Sequence, residues 1–232
     1  MYKLPHFTED DRKEILSFLR ARPFALITGS GVDGKPVATQ VPVLIDEEDD
    51  QLILTGHVMR STDHWYGFSK NSDVLAVFSG PNCAVSASWY TNPESGGTWN
   101  YMAVHARGTI LMLEQDALIQ VLTRLTAQVE NDPNSGANYV DLPDKYTSKM
   151  LPAIQAFEIR ITHLDAIFKL SQNRDEAGYD NVIRKLSERG GSSAEIADIM
   201  ANRRSKVFPT SNSQRPAKAS AFQQTEAPAT SS

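Results

Sequence analysis

From Pro23 to Leu164 the chain is a series of β-rich runs joined mainly by turn signals, and that order leaves few folds open. PFALITGS reads as a strand, and Asp33-Gly34 marks a hairpin turn behind it. VATQVPVLID is the return strand, where Pro42 calls for a bulge or a sheet edge. QLILTGHV follows, then VLAVFSG and AVSASWY, split by Pro81-Asn82. YMAVHARGTILML is a long strand, and AFEIRITHL is the last convincing one. Six or seven sequential strands argue for an antiparallel barrel rather than a βαβ sheet. The expected class is mainly β with peripheral helices (α+β).

The helices fall around this core. Thr8 to Asp11 reads as a helix start with Thr8 as N-cap, leading into the stripe Ile15, Leu16, Phe18 and Leu19 and ending before Pro23. Ser61 to Ser69 is expected to be a short helix, and 116–130 a longer one. Asp180 to Arg189 and Ser193 to Arg204 form a helical pair around Gly190-Gly191. DEEDD at 46–50 reads as a solvated loop; it lacks the glycine and spacing of a calcium loop. From about Phe208 the Ser, Thr, Ala, Pro and Gln content cannot bury enough apolar surface to fold. The expected organisation is a barrel over 1–178, the helical pair over 179–206 and a disordered tail over 207–232.

The bulk numbers narrow the function classes. The 232 residues are 41% hydrophobic and 22% charged, which suits one large globular domain or two small ones. No apolar run approaches the roughly 20 residues that span a bilayer. The acidic N-terminus has no secretory h-region. Cys83 stands alone, so an intrachain disulfide is impossible and a reducing, cytoplasmic setting is expected. Net charge is −5, and the tail from Ser205 onward carries +2, leaving −7 on residues 1–204. Such a body does not attract a nucleic-acid backbone over a broad face. The five histidines form no HxxxH or HExxH pair, and there is no CxxC, so no metal site is expected. GxSxG, P-loop and GxGxxG motifs are also missing.

Three patches place hydrogen-bond donors beside rigid apolar or aromatic residues where a strand meets a loop. In GHVMRSTDHW (56–65), Arg60, Ser61 and Thr62 offer a guanidinium and hydroxyls at a helix start, a set suited to a phosphate monoester. A strand-end Arg with Ser61 as an ordinary N-cap is the plainer reading, and on this patch alone it outweighs the other. His57 reads more readily as a packed strand histidine than as an acid–base group. In TWNY (98–101), Trp99 and Tyr101 share one face of an extended chain, and Thr98 and Asn100 can hydrogen-bond a ligand or their own loop. Core packing explains this patch equally well. KLSQNR (169–174) crowds Lys169, Gln172, Asn173 and Arg174 together; these suit the edge of a flat heterocycle, but on this patch alone a solvated basic turn is the favoured reading. Together the patches suggest a flat, phosphorylated heterocycle held against a barrel.

In this order and spacing the chain resembles the PaiB-like FMN-binding proteins, also described as FMN-binding negative transcriptional regulators. The resemblance covers roughly 1–190 and rests on MYKLPHF, RPFALIT, ATQVPVLID, GHVMRSTDHW, VFSGP, SASWY, TWNY with AVHARG, FEIRIT and KLSQNR. It implies a split β-barrel, a homodimer and FMN near the subunit interface. Carried over by position, Arg60 and Ser61 are expected at the FMN phosphate, with His57 beside them on the same segment. Thr39, Val41 and Pro42 are expected beside the ring. Thr98, Trp99 and Asn100 match the Thr-Trp-Asn motif, and Lys169, Gln172 and Arg174 the Lys-Leu-Ser-Gln-Asn segment. The family's His-Leu-Ala-Arg-Ala-Asn-Pro is here His-Val-Met-Arg-Ser-Thr-Asp, so Ser61 adds a hydroxyl and Met59 bulk.

Two function classes follow. One is an FMN-dependent oxidoreductase acting on a small molecule, with His57, Tyr101 and Lys169 as candidate catalytic groups, none of which stands out. The other is a regulator, for which the helical pair with Arg203, Arg204 and Lys206 would have to read DNA. A packing arm for the dimer fits that pair better. Related split-barrel proteins bind heme, and His57 or a tail residue could ligate iron.

Overall fold

The computed structural model describes residues 4–92 and 94–209. Its strands are β1 (Phe24–Ser30), β2 (Pro36–Pro42), β3 (Leu44–Glu48), β4 (Gln51–Met59), β5 (Asp73–Val85), β6 (Thr98–Met112) and β7 (Ile154–Lys169). They lie in the order β2-β1-β5-β6-β7-β4-β3, every pair antiparallel. The two edge strands, β2 and β3, are separated in sequence by Val43 alone. Residues 36–48 are therefore one bent strand that pairs with β1 by its first half and with β4 by its second. That bend closes the sheet into a barrel and leaves few open edges. Pro42 sits at the switch, where a missing N–H does least harm. The fully buried Val43 anchors the bend through its N–H to the Pro23 carbonyl at 2.8 Å.

The expected antiparallel, mainly β architecture with peripheral helices is what forms. Several local expectations change. Helix α1 (Arg12–Ala21) begins four residues later than Thr8, with Asp11 as N-cap accepting from the Lys13 N–H at 2.9 Å. Thr8 is instead held in a bridge to Ile167, flanked by Phe168 N–H to Phe7 and Glu9 N–H to Ala166. Backbone pairing to β7 thus outcompetes the cap. The acidic run 46–50 is mostly strand: β3 extends to Glu48, and only Asp49 and Asp50 turn, both with positive φ. Asp tolerates that region better than most residues. Asp46 pairs with Arg124 and Glu47 with Arg12. The segment before Pro81 runs on past it as one strand, β5, with a register shift between Ser79 and Asn82 that accommodates the proline. The strand expected over AVSASWY stops at Val85, and Ala87–Trp89 forms a 3-10 turn capped by the Ser86 hydroxyl.

Helices α2 (Asp63–Lys70), α3 (Gln115–Glu130) and α4 (Asp144–Met150) lie in the connections. Leu118, Val121, Leu122 and Leu125 of α3 cover a side cluster with Leu44, Ile154 and Ala156. The C-terminal pair, α5 (Glu176–Arg189) and α6 (Ser192–Val207), shares the main core: Tyr179, Val182, Leu186, Ile196, Ala197 and Met200 are buried with Phe168 and Leu170. The Tyr179 hydroxyl donates to the Met200 carbonyl at 2.9 Å, and burial raises its pKa to about 12. Helix α6 runs to Val207, and the Phe208 ring packs on Tyr179 at 5.3 Å. The rest of the expected disordered tail, 210–232, lies outside the described residues.

Glu9 ties the N-terminal segment to α6. Only 7% exposed, it accepts from Arg203, from Lys206 at 3.1 Å and from the Asp11 N–H at 3.1 Å. Burial pushes its carboxyl up, but the hydrogen bonds together outweigh burial and hold it below its ordinary 4.5. The unfolded chain therefore takes the proton first. Glu9's contribution is complete above pH 4.5 and is lost as pH falls from there through the folded value. We predict that Glu9→Gln lowers unfolding stability by about 1.5–3 kcal/mol at pH 7, as for losing hydrogen bonds to a charged group. The gap to the wild type should close in acid. Denaturant titrations with equal stabilities at pH 7, or with a gap that persists at low pH, would contradict this.

Candidate functional site

At one end of the barrel, β4 leaves the sheet at Met59 and the chain turns into α2. Arg60 is fixed here by its N–H to the Ala153 carbonyl at 2.8 Å and its Nε to the Ile154 carbonyl at 3.0 Å. Holding Nε against the start of β7 aims the rest of the fork outward. The guanidinium lies 5.9 Å from the Trp65 ring, and Trp65 is set by Nε1 donating to Gln155 Oε1 at 2.8 Å. Ser61 is exposed and has φ +62, a conformation that costs a non-glycine residue about 1 kcal/mol. That bend presents its hydroxyl at the start of α2. The N-cap is Thr62, not Ser61: its Oγ1 accepts from the Trp65 N–H at 3.3 Å. A guanidinium, a free hydroxyl and a helix N-terminus at one corner are the donors a phosphate needs. The cavity beside Arg60, bounded also by Leu118, Pro152 and Gln155, holds about 150 Å³. That is small beside the several hundred Å³ of a nucleotide-sized pocket.

His57 stands two residues before Met59 on the outward face of β4. It is half-buried and its Nδ1 has no partner. Burial lowers its pKa below the ordinary 6.5. On β2, Thr39 pairs with Ile27 and Val41 with Ala25, and both partners are fully buried. Directly paired residues share a face, so the Thr39 and Val41 side chains face the core. Gln40, opposite Leu26, faces outward instead. A ligand running along the outside of β2 would meet Gln40 and backbone, with Pro42 at the bend.

The other two patches meet at the far end. The Lys169 ammonium donates to Thr98 Oγ1 at 2.7 Å, and Lys169 pairs in register with Tyr101. Trp99 is 57% exposed and shares the outward face with Tyr101, as the alternation predicted. Asn100 faces the opposite way and is fully buried. Its Oδ1 accepts from Ser171 at 3.0 Å and its amide donates to Met200 Sδ at 3.4 Å, so it locks β6 to α6 rather than offering itself to a ligand. Gln172 is also engaged: its carbonyl accepts from the Leu170 N–H at 2.6 Å and its amide donates to the Phe168 carbonyl at 2.5 Å. Arg174 lies flat on the Tyr90 ring, 3.7 Å away, with one amino group on Ser95 Oγ at 3.2 Å. Burial first, and then the charge of Arg174, lower the Lys169 pKa below its ordinary 10.5. Ser95 and Gln155 are site neighbours that sequence reasoning missed, and neither carried a signal.

The two groups of residues lie at opposite ends of β7. Gln155, beside Arg60, and Lys169 are fourteen residues apart, roughly 45 Å of extended strand. The cavity beside Arg60 does not reach Trp99.

The basic residues of α6 are all paired. Arg203 binds Glu9 and Glu14, Arg204 binds Asp180 and Glu176, and Lys206 binds Glu9. No helix among the described residues is long and apolar enough to cross a membrane, and no group of three or more metal-ligating side chains occurs among them.

A family profile described as "Putative FMN-binding domain" matches residues 1–163. The "Protease synthase and sporulation protein PAI 2" of Bacillus subtilis (strain 168) is 34% identical over 207 residues, spanning 89% of this chain and 99% of that protein. An uncharacterized protein of Emericella nidulans is 28% identical over 150 residues, 57% of this chain and 60% of its own length. Among solved structures, an FAD and heme binding protein from Mycobacterium smegmatis matches with a TM-score of 0.48 and 17% identity, over 70% of this chain and 73% of that one.

The site geometry makes a prediction for His57. Its imidazole is expected to be neutral at pH 7 and to titrate below 6.5. NMR of ring-labelled histidine would check this, and a midpoint at or above 6.5 would contradict the burial argument.

Proposed function

The chain belongs to the PaiB-like FMN-binding family, and from that membership we propose that it works as a homodimer, holding each FMN between the Arg60 end of one copy and the Trp99 end of the other. The observation that carries this reading is the separation of the two donor groups along β7. One FMN cannot reach both within a single chain. In a twofold dimer the same two surfaces meet twice, producing two equivalent sites. The outward face of β1, β5 and β6 supports a second copy. Phe24, Leu26 and Trp99 are exposed there, and Val77 lies in register between Leu26 and His105. Apolar residues clustered on a strand face favour burial against a partner.

In this reading Arg60, Ser61 and the first turn of α2 bind the phosphate. The outer side of β2 and the partner's Trp99 and Tyr101 enclose the ring and exclude water. His57 is a neutral neighbour that can share a proton with a ligand. When bound, FMN supplies one- and two-electron transfer. We assign the chain an oxidoreductase or flavin-carrying role on a small molecule, ahead of direct repression of transcription. Support comes from α6, whose three basic residues are tied up in ion pairs and whose inner face is buried in the core. A groove-reading helix needs those side chains free.

Freshly purified protein should show the double absorbance band of a flavin, and anaerobic NADPH should bleach it if the role is redox. A Soret band would indicate heme, and a colourless chain that takes up no added FMN would sink the proposal. Arg60→Ala should weaken FMN binding by about 1.5–3 kcal/mol, the loss expected for a hydrogen bond to a charged group. Unchanged affinity by titration calorimetry would move the phosphate elsewhere.

A further inference from the structure

Two buried polar atoms without partners lie together beside the Trp99 end of β6. Arg174 Nε is buried and bonded to nothing, and the Tyr90 hydroxyl is in the same condition. The two side chains are stacked, guanidinium on ring at 3.7 Å, so the orphans belong to one spot. Leaving such groups dry and unmatched costs about 1–3 kcal/mol each, and native structures seldom do so without a missing partner. The neighbouring acid is not that partner. The Asp175 carboxylate is committed to the Thr91 hydroxyl at 2.5 Å and to the Gly178 N–H at 2.8 Å, where it caps α5. The Lys169 ammonium, on Thr98, adds a second positive charge nearby; burial first, and then the charge of Arg174, lower its pKa. With one amino group on Ser95, the stacked guanidinium holds its remaining donors, Nε among them, in a fixed plane, a geometry that suits the two oxygens of a carboxylate or phosphate.

We propose that Arg174 and the Tyr90 hydroxyl form an anion subsite that takes the carboxylate or phosphate group of the substrate, beside the flavin rather than on it. Trp99, exposed on the adjoining strand, offers a flat wall for the body of such a molecule. This inference rests on the flavin reading for its position, but its binding chemistry stands on the orphaned atoms alone.

The test uses the full chain loaded with FMN, whose own phosphate then occupies the Arg60 corner. Inorganic phosphate and benzoate are titrated at constant ionic strength, with flavin absorbance and thermal midpoint as readouts. FMN affinity is measured separately. The wild type should respond saturably to at least one anion. Response to benzoate alone points to carboxylate substrates, and response to phosphate alone to phosphorylated ones. Tyr90→Phe, which removes one hydroxyl and leaves the stack, should weaken the anion about tenfold. Arg174→Ala should weaken it at least as much, while FMN affinity in Tyr90→Phe stays within about twofold. A wild-type response no different from chloride, or Tyr90→Phe and Arg174→Ala variants that bind the anion unchanged, would overturn the subsite. Loss of FMN affinity in Arg174→Ala, with the anion unaffected, would make Arg174 a flavin contact and leave the flavin reading intact. If the chain takes no FMN, the flavin reading falls, and the benzoate titration on Arg60→Ala protein still decides the subsite.

Discussion

β7 is the strand on which the rest of the molecule depends. Its sixteen residues pair with β4 over the first half, with β6 along most of their length, and with the N-terminal segment at the far end. Arg60 is oriented by carbonyls at or just before its start, and Lys169 is its last residue. Its ladder with β6 runs from Phe157 to Lys169 with one register shift, between Arg107 and Gly108. β7 holds the two donor groups at its opposite ends, and the proposed two-copy site rests on that separation.

The helices are attached to the same strand. Asn100 and Ser171 join β6 to the loop after β7, and Met200 of α6 closes over them. Glu9 and Arg203 then fasten the N-terminal segment to α6, with the Arg203 guanidinium 5.2 Å from the Phe168 ring. The C-terminal pair is thus built into the wall behind the Trp99 end. A change in that pair would be felt at β6 and β7 before it reached any partner surface.

The fold was legible because its signals are local. Alternating runs and the Asp33-Gly34 turn each act over a few residues. Misreadings came where long-range pairing outcompeted a local rule. Thr8 had the sequence of a cap, but strand pairing to Ile167 claimed it; Asp46 and Glu47 looked solvated, yet extend β3 and meet arginines distant in sequence. The site was legible as a set of residue types, not as directions. TWNY gave the right face for Trp99 and Tyr101, but nothing in the string says that Asn100 meets Met200, or that Gln172 folds back on its own loop. The orphaned Tyr90 hydroxyl is visible only once its surroundings are packed.

The central claim, a flavin held jointly by opposite ends of two β7 strands, is tested most directly by mixing two defective chains. Arg60→Ala and Trp99→Ala proteins, each too weak to retain FMN alone, are unfolded together, refolded as mixed dimers and measured for bound flavin. If each site takes Arg60 from one copy and Trp99 from the other, a mixed dimer has one intact site, and random mixing should restore about a quarter of wild-type binding. If both residues serve a site within one chain, every site in the mixture remains defective. No recovery of bound FMN would contradict the account.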